Sequence, residues 1–294
     1  MRCKPSDPMR AVTLALVLLG FSAHATARRF DLVNDAATNT EGEIELEGWM
    51  DLGRLAAHRT NVMFWLGARI GLLDSLELAS FLVFEKRESA IGAAPLDLDE
   101  GNGLMEWVTE LRWRPVEVGK WPIDLFFQAQ LIDWFEASHP VQFRLTLGAS
   151  KQVARVLIAA NLSFWASTQV AGPFKQAPVL PSSMPLVFGD PVSWFWLEPS
   201  VAVSVNLVEA DGPVPTINLG VEAWAFIPLG TKVHSHLLMD GGLVVGPTLS
   251  ASRGRLWLTA HLGIPVVELT PFPAKKPSGP SLPLVGRVML GINL

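Results

Sequence analysis

The chain has 294 residues, a formal net charge of −5, 49% hydrophobic residues and only 17% charged residues. The acidic balance argues against nucleic acid as a partner, and the charged fraction is below the quarter that is usual for soluble domains. The single cysteine, Cys3, lies close to the N-terminus. If that end is removed on export, the remaining chain has no disulfide and no cysteine-ligated metal site.

The first residues predict a cleaved signal peptide. Arg2, Lys4 and Arg10 form a positive region, and the apolar run Ala11–Phe21 follows it. Small residues then lead to an A-x-A cleavage site that ends at Ala27. An uncleaved membrane anchor is the alternative, but eleven apolar residues fall short of the roughly 20 that a spanning helix needs.

The cleavage site divides the chain into three parts. Residues 1–27 are the predicted signal peptide, residues 28–40 a polar and irregular periplasmic lead-in, and residues 41–294 a single domain. No stretch of that domain approaches 18 apolar residues, which excludes helical membrane spans.

Polar and apolar residues alternate along most of the domain, which is the pattern of β-strands. Residues 43–52 illustrate it, because the acidic residues share one face and the apolar residues share the other. The acids are Glu43, Glu45, Glu47 and Asp51, and the apolar residues are Ile44, Leu46, Met50 and Leu52.

Twelve such segments follow one another, and the connections between them alternate in length. Short connections are predicted after strands 2, 4, 6, 8 and 10, around residues 74–75, 115–120, 150–152, 208–215 and 248–254. Long ones are predicted at residues 86–103, 168–193 and 265–285. This segregation is typical of an all-β, antiparallel, up-and-down transmembrane β-barrel of about 12 strands, with both termini on the short-turn, periplasmic side.

Aromatic residues cluster at the predicted strand ends. Because Trp suits the boundary between lipid and water, these clusters predict an aromatic girdle. For any single residue, an ordinary core aromatic is the alternative. The residues are Trp113 and Trp121 at a short turn, and Trp134, Phe135, Phe164, Trp165, Trp194, Phe195, Trp196 and Phe226 at long loops.

The leader, the alternating strands and the last strand (VGRVMLGINL) resemble Gram-negative outer-membrane β-barrels of the porin and transporter type. The segment Ile70–Leu78 resembles the strand–turn–strand of barrel families assigned as transporters near aromatic-degradation pathways. This resemblance implies an outer-membrane location and favours the passage of solutes.

If the apolar face meets lipid, the opposite face lines the lumen, because an Arg costs about 2–4 kcal/mol in the middle of the bilayer. The charges either create a field that selects solutes or simply neutralise one another. The candidate lumen-lining residues are Glu43, Glu45, Glu47, Asp51, Arg69, Glu106, Glu110, Arg112, Arg144, Glu222, Arg255 and Arg287. The same face carries Glu77, Asp124, Glu198, Asp240, Arg114, Arg155, His236 and His261.

The only candidate for catalysis is His234-Ser235-His236 with Asp240, as in an outer-membrane lipid hydrolase. Adjacent residues of a strand point to opposite faces, whereas a nucleophile and its base must share one side. We therefore predict no catalytic residue, no metal site and no cofactor.

The sequence thus predicts an outer-membrane channel or passive transporter for small solutes, with membrane lipid and a small-molecule solute as its partners. A lipid hydrolase and a closed structural or adhesive barrel are the alternatives. Neither the solute nor the oligomeric state follows from the sequence.

Overall fold

A computed structural model describes residue 30 and residues 33–55, 59–87, 103–135, 141–168, 194–209, 214–229, 241–269 and 285–294. The predicted signal peptide and the His234-Ser235-His236 and Asp240 candidate lie outside these residues. No helix of the described part is long and apolar enough to span a membrane.

Twelve antiparallel strands close into one barrel, in which each strand pairs with its neighbours in sequence and β1 pairs with β12. The prediction of a 12-stranded up-and-down barrel is confirmed. The strands are β1 (Ile44–Leu55), β2 (Arg59–Leu73), β3 (Leu76–Arg87), β4 (Gly103–Trp113), β5 (Asp124–Trp134), β6 (Val141–Val153), β7 (Val156–Thr168), β8 (Trp194–Val208), β9 (Thr216–Pro228), β10 (Gly241–Arg253), β11 (Leu256–Leu269) and β12 (Val285–Asn293).

The first and last strands close the barrel in a continuous register that runs from the pair Glu45–Asn293 to the pair Gly53–Val285. The N–H of the last residue, Leu294, also donates to the carbonyl of Ile44 at 2.7 Å. Closure satisfies the backbone groups of every strand and leaves no sheet edge, as a barrel in lipid requires.

Five tight connections lie at one end of the barrel, which we call the short-turn end. They follow β2, β4, β6, β8 and β10, as predicted. The turn after β6 lies later than predicted, because β6 extends to Val153, and the turn after β10 is shorter than predicted, because β10 extends to Arg253. Their turn residues include Ala154 and Gly254, which adopt left-handed backbone angles (φ of 51° and 59°).

The two faces of the strands differ sharply in polarity. Large apolar side chains on the outward face are strongly exposed in mid-strand, for example Leu66 (63%), Leu145 (58%) and Leu290 (55%). The charged residues between them point inward and are almost fully buried, for example Glu47 and Arg69 at 1% each. The barrel therefore has an apolar exterior and a polar, filled interior.

Glycines make room for the largest inward rings. Gly291 on β12 faces Trp257 on β11, and a Cβ at Gly291 would overlap the indole ring. A Cβ at Gly67 would likewise overlap the ring of Phe81, and a Cβ at Gly148 would overlap the ring of Phe126. Because these rings are at most 1% exposed, they have no free space into which to move.

Replacement of Gly291 by Ala should therefore destabilise the barrel by about 1–3 kcal/mol, the usual range for overpacking a filled interior. Urea unfolding of the refolded protein in detergent, followed by tryptophan fluorescence, measures this change. Gly48→Ala is the matched control, since a Cβ there has no neighbour closer than 3.9 Å, and we expect a change within about 0.5 kcal/mol. Equal effects of the two substitutions would contradict the tight packing around Trp257.

Candidate functional site

The lumen is the candidate site, and ten of the twelve candidate residues lie on the inward face of its strands. These are Glu45, Glu47, Asp51, Arg69, Glu106, Glu110, Arg112, Arg144, Glu222 and Arg287. Glu43 precedes β1 at the short-turn end, where its carboxylate accepts a hydrogen bond from Asn293 Nδ2 at 2.7 Å. Arg255 lies in the turn between β10 and β11. Both residues therefore lie at the rim of the barrel, because Glu43 precedes β1 and Arg255 lies between the end of β10 and the start of β11.

Arg69 on β2 is the centre of the largest charge cluster. Its guanidinium contacts Glu47 at 2.7 Å, Glu77 at 2.9 Å and Glu110 at 2.5 Å, and all four side chains are at most 3% exposed. The three carboxylates come from β1, β3 and β4, so the cluster joins four neighbouring strands. Without a cation between them, carboxylates so close together would repel strongly in a medium of low dielectric constant.

Arg112 on β4 extends this cluster along the wall to the neighbouring strand β5. It lies 3.4 Å from Glu110 and donates to Gln128 Oε1 at 3.3 Å. Its guanidinium also lies over the ring of Phe126, 5.4 Å from the centroid. Arg112 thus connects the acidic cluster of β1–β4 to the amide and aromatic groups of β5.

An aromatic layer lies nearer to the opposite end of the barrel from the short-turn end. Trp49 and Trp65 pack 5.3 Å apart, and Trp49 also packs against Phe81 at 4.9 Å. Trp65 Nε1 donates to Asp51 Oδ2 at 3.0 Å, and Asp51 forms an ion pair with Arg287. Apolar side chains complete the layer: Ala79, Val83, Val108 and Ile132, with Met63 and Trp165 against them. The lumen is therefore filled by side chains at this level.

A second ion pair lies on the opposite wall. Arg144 on β6 contacts Glu198 on β8 at 2.7 Å, and Trp165 Nε1 donates to the other oxygen of the same carboxylate at 2.8 Å. Trp165 in turn stacks on Trp196 at 5.4 Å. Trp165, Trp196 and Phe226 were predicted to belong to a girdle at the lipid boundary, and this prediction is wrong. Side chains alternate between the two faces of a strand, and these three lie at inward positions. Trp165 covers the guanidinium of Arg144 there.

The predicted lead-in contributes a segment that sequence reasoning did not place in the lumen. Phe30 and Val33 are at most 4% exposed and pack against Leu157, Ala159 and Ala202 on the inner wall. The described residues Phe30 and Val33 of the lead-in therefore lie against the inner wall of the barrel. Apolar side chains within a polar stretch were the signal, since they gain free energy by burial against the wall.

Glu222 on β9 connects this segment to the wall. Its Oε2 accepts from the N–H of Val33 at 3.0 Å, and its Oε1 accepts from Thr248 Oγ1 at 2.6 Å. Thr248 is in turn 3.1 Å from Nδ1 of His261, and Glu222 is fully buried. A buried carboxylate requires such donors, and here one of them comes from outside the barrel wall.

Comparison with known proteins finds no protein-family model that matches the chain and no similar curated protein. Among solved structures, an outer-membrane channel from Pseudomonas putida F1 aligns with a TM-score of 0.52 and 9% identity, over 88% of this chain and 98% of that chain. The fold is that of an outer-membrane β-barrel.

Two further solved structures have lower scores. The NanC porin aligns at a TM-score of 0.48 with 7% identity, over 85% of this chain and 100% of that chain. The translocator domain of the autotransporter NalP from Neisseria meningitidis aligns at 0.48 with 11% identity, over 97% and 95%. At such identities only the fold is shared, and it rests on the first structure and on the strand topology.

The Arg69 cluster provides a test of whether water reaches the charged groups in the lumen. Arg69→Met leaves three buried carboxylates without their shared cation, so we expect a loss of about 3–5 kcal/mol in the free energy of unfolding. Adding Glu110→Gln to this variant should restore part of the loss. The control is Lys120→Met, which removes an ion pair with Glu117 whose side chains are 66% exposed and should change nothing measurable. A loss for Arg69→Met as small as that of the control would mean that water solvates the cluster.

Proposed function

We propose that the protein is an outer-membrane channel for small solutes, which the N-terminal segment closes in the described state. We define this segment as Phe30 and residues 33–40. Passage is passive, and the segment moves to admit the solute. The predicted signal peptide and an outer-membrane location belong to the same proposal.

The exterior supports insertion into lipid. Exposed apolar residues run around the barrel in mid-strand, whereas charged residues of the strands point inward. Trp113 and Trp121 are about half exposed at the short-turn end (48% and 46%), which suits a border between lipid and water. An apolar surface of this size on a soluble monomer would promote aggregation.

The observation that carries the proposal is that the N-terminal segment lies inside the barrel without belonging to the sheet. Strands β1 and β12 already pair with each other, so departure of the segment breaks no strand pairing. The segment is bound by side chains of the wall, for example Gln128, which accepts from Asn34 Nδ2 at 3.1 Å. Its departure would empty the part of the lumen that it occupies while the barrel stays closed.

A closed structural barrel is the second candidate, and the aromatic layer around Trp49 favours it. Val83 and Val108 in that layer have no exposed surface, so solutes would have to displace packed side chains as well as the segment. The two candidates differ in whether release of the segment produces current.

A disulfide that holds the segment in place tests the channel. The N–H of Ala36 donates to Ser150 Oγ at 3.1 Å, so these two neighbouring positions are chosen for a pair of cysteines, and loss of free thiol on oxidation shows that the cross-link has formed. We expect single-channel steps in a planar bilayer when Ala36→Cys/Ser150→Cys is reduced, and their loss when it is oxidised, because the lumen stays occupied.

The single variants Ala36→Cys and Ser150→Cys are the controls, and their conductance should not depend on the redox state. Unchanged steps in the oxidised double variant would show that the segment is not the gate. An inserted protein that is silent in both redox states would favour the closed structural barrel.

The lipid-facing exterior has its own test at Leu145, an outward residue in the middle of β6 that is 58% exposed. Leu145→Arg should destabilise the protein by about 2–4 kcal/mol in phospholipid vesicles, since the guanidinium would face hydrocarbon. On a surface that faces water the same change would stay within about 0.5 kcal/mol. Urea unfolding in vesicles distinguishes the two environments.

A further inference from the structure

The wall of the lumen contacts mainly the main chain of the N-terminal segment. Three main-chain N–H groups donate to wall side chains: Val33 to Glu222 at 3.0 Å, Ala36 to Ser150 at 3.1 Å, and Asn39 to Glu77 at 2.9 Å. The acceptors lie on β9, β6 and β3, so they surround the segment.

The wall also recognises main-chain carbonyl groups. Arg112 donates to the carbonyl of Ala37 at 3.2 Å. The side-chain amide of Asn161 faces the main chain of Asn34. We assign its orientation from the hydrogen bonds: Nδ2 then donates to the carbonyl of Asn34 at 3.0 Å, and Oδ1 accepts from the N–H of Asn34 at 2.7 Å. The wall thus offers donors and acceptors alternately along the chain.

The apolar contacts of the segment place few demands on sequence. Phe30 and Val33 lie against Leu157, Ala159 and Ala202, which are small or flexible side chains. These contacts are apolar and carry no hydrogen bond that would select a particular side chain. Two side chains of the segment also form hydrogen bonds, Asn34 with Gln128 and Thr38 with the carbonyl of Asp74, but most of the hydrogen bonds are made to its backbone, which every peptide carries.

We infer that this part of the lumen is a binding site for the main chain of short extended peptides, and that the N-terminal segment occupies it as an internal competitor. The inference rests on the proposed channel, for which it names a class of solute. A simple amine supplies donors only and has no acceptor for Arg112 or Asn161. A peptide supplies both kinds of group at the spacing that the segment already uses.

Displacement of the segment can be measured in the full-length protein without any current. Ala36 is 1% exposed, so the thiol of an Ala36→Cys variant should react with a maleimide only while the segment is out of its site. We expect tetra-alanine at millimolar concentration to accelerate this reaction, because it competes for the wall.

The matched control peptide is tetrasarcosine, the N-methylglycine tetramer, which keeps the carbonyl groups but has no amide N–H. It should have little effect, and so should maltotriose, a neutral solute of similar length. Acceleration by maltotriose or tetrasarcosine equal to that by tetra-alanine would overturn the inference.

Substitutions in the wall give a second test. A glutamine at position 222 has one acceptor oxygen for two donors, the N–H of Val33 and the hydroxyl of Thr248. Glu222→Gln should therefore release the segment more often. We expect the basal labelling rate to rise about tenfold, as for loss of a hydrogen bond to a charged group. Glu198→Gln changes a carboxylate that also accepts at both oxygens, from Arg144 and Trp165 of the wall. Its labelling rate should equal that of the parent Ala36→Cys protein.

The outcomes separate this inference from the channel itself. If labelling responds to Glu222→Gln but to no peptide, the peptide site is refuted, and the disulfide experiment still decides whether the barrel conducts. If peptides accelerate labelling and the reduced barrel carries no current, the site exists and the channel is wrong. An equal response to Glu222→Gln and Glu198→Gln would refute the role of Glu222.

Discussion

The guanidinium of Arg69 separates three carboxylates that would otherwise repel one another inside a closed barrel. This contact follows from a constraint on the whole molecule, since an apolar exterior forces the charged residues of the strands inward. Inside, each charge has to find a partner within the width of the lumen. The clusters around Arg69, Arg144 and Arg287 each meet this requirement with residues from other strands.

The need to fill a narrow lumen explains how aromatic rings and glycines are distributed. Trp257, Phe81 and Phe126 each lie beside a glycine of a paired strand. Rings also cover the guanidinium groups, as Trp165 does for Arg144 at 4.8 Å. A ring therefore fills space and stabilises charge at once, because its face attracts cations. This double role accounts for tryptophans that lie in the lumen rather than at the lipid border.

Much of the fold could be predicted because it depends on local pattern. The alternation in residues 43–52 assigns Glu45 and Glu47 to one face whatever the rest of the chain does, since the side-chain period of a strand is two. Repetition of this pattern twelve times, with short connections after every second strand, was enough to predict the barrel. Turn positions were less accurate, because β6 and β10 continue past the residues where polarity first suggests a turn.

The sequence by itself therefore determined the strands, their number and which charged side chains of the strands point inward, but not the direction of inward tryptophans such as Trp165 and Trp196. Only the tertiary structure decided which partner each charged side chain has, because the partners are remote along the chain. Trp257 donates to Glu45 across 212 residues, and Arg287 donates to Asp51 across 236. It also decided that residues 33–39 lie against the inner wall. No local pattern specifies that position, since the contacts of the segment come from strands β3 to β9 and exist only once the barrel has closed.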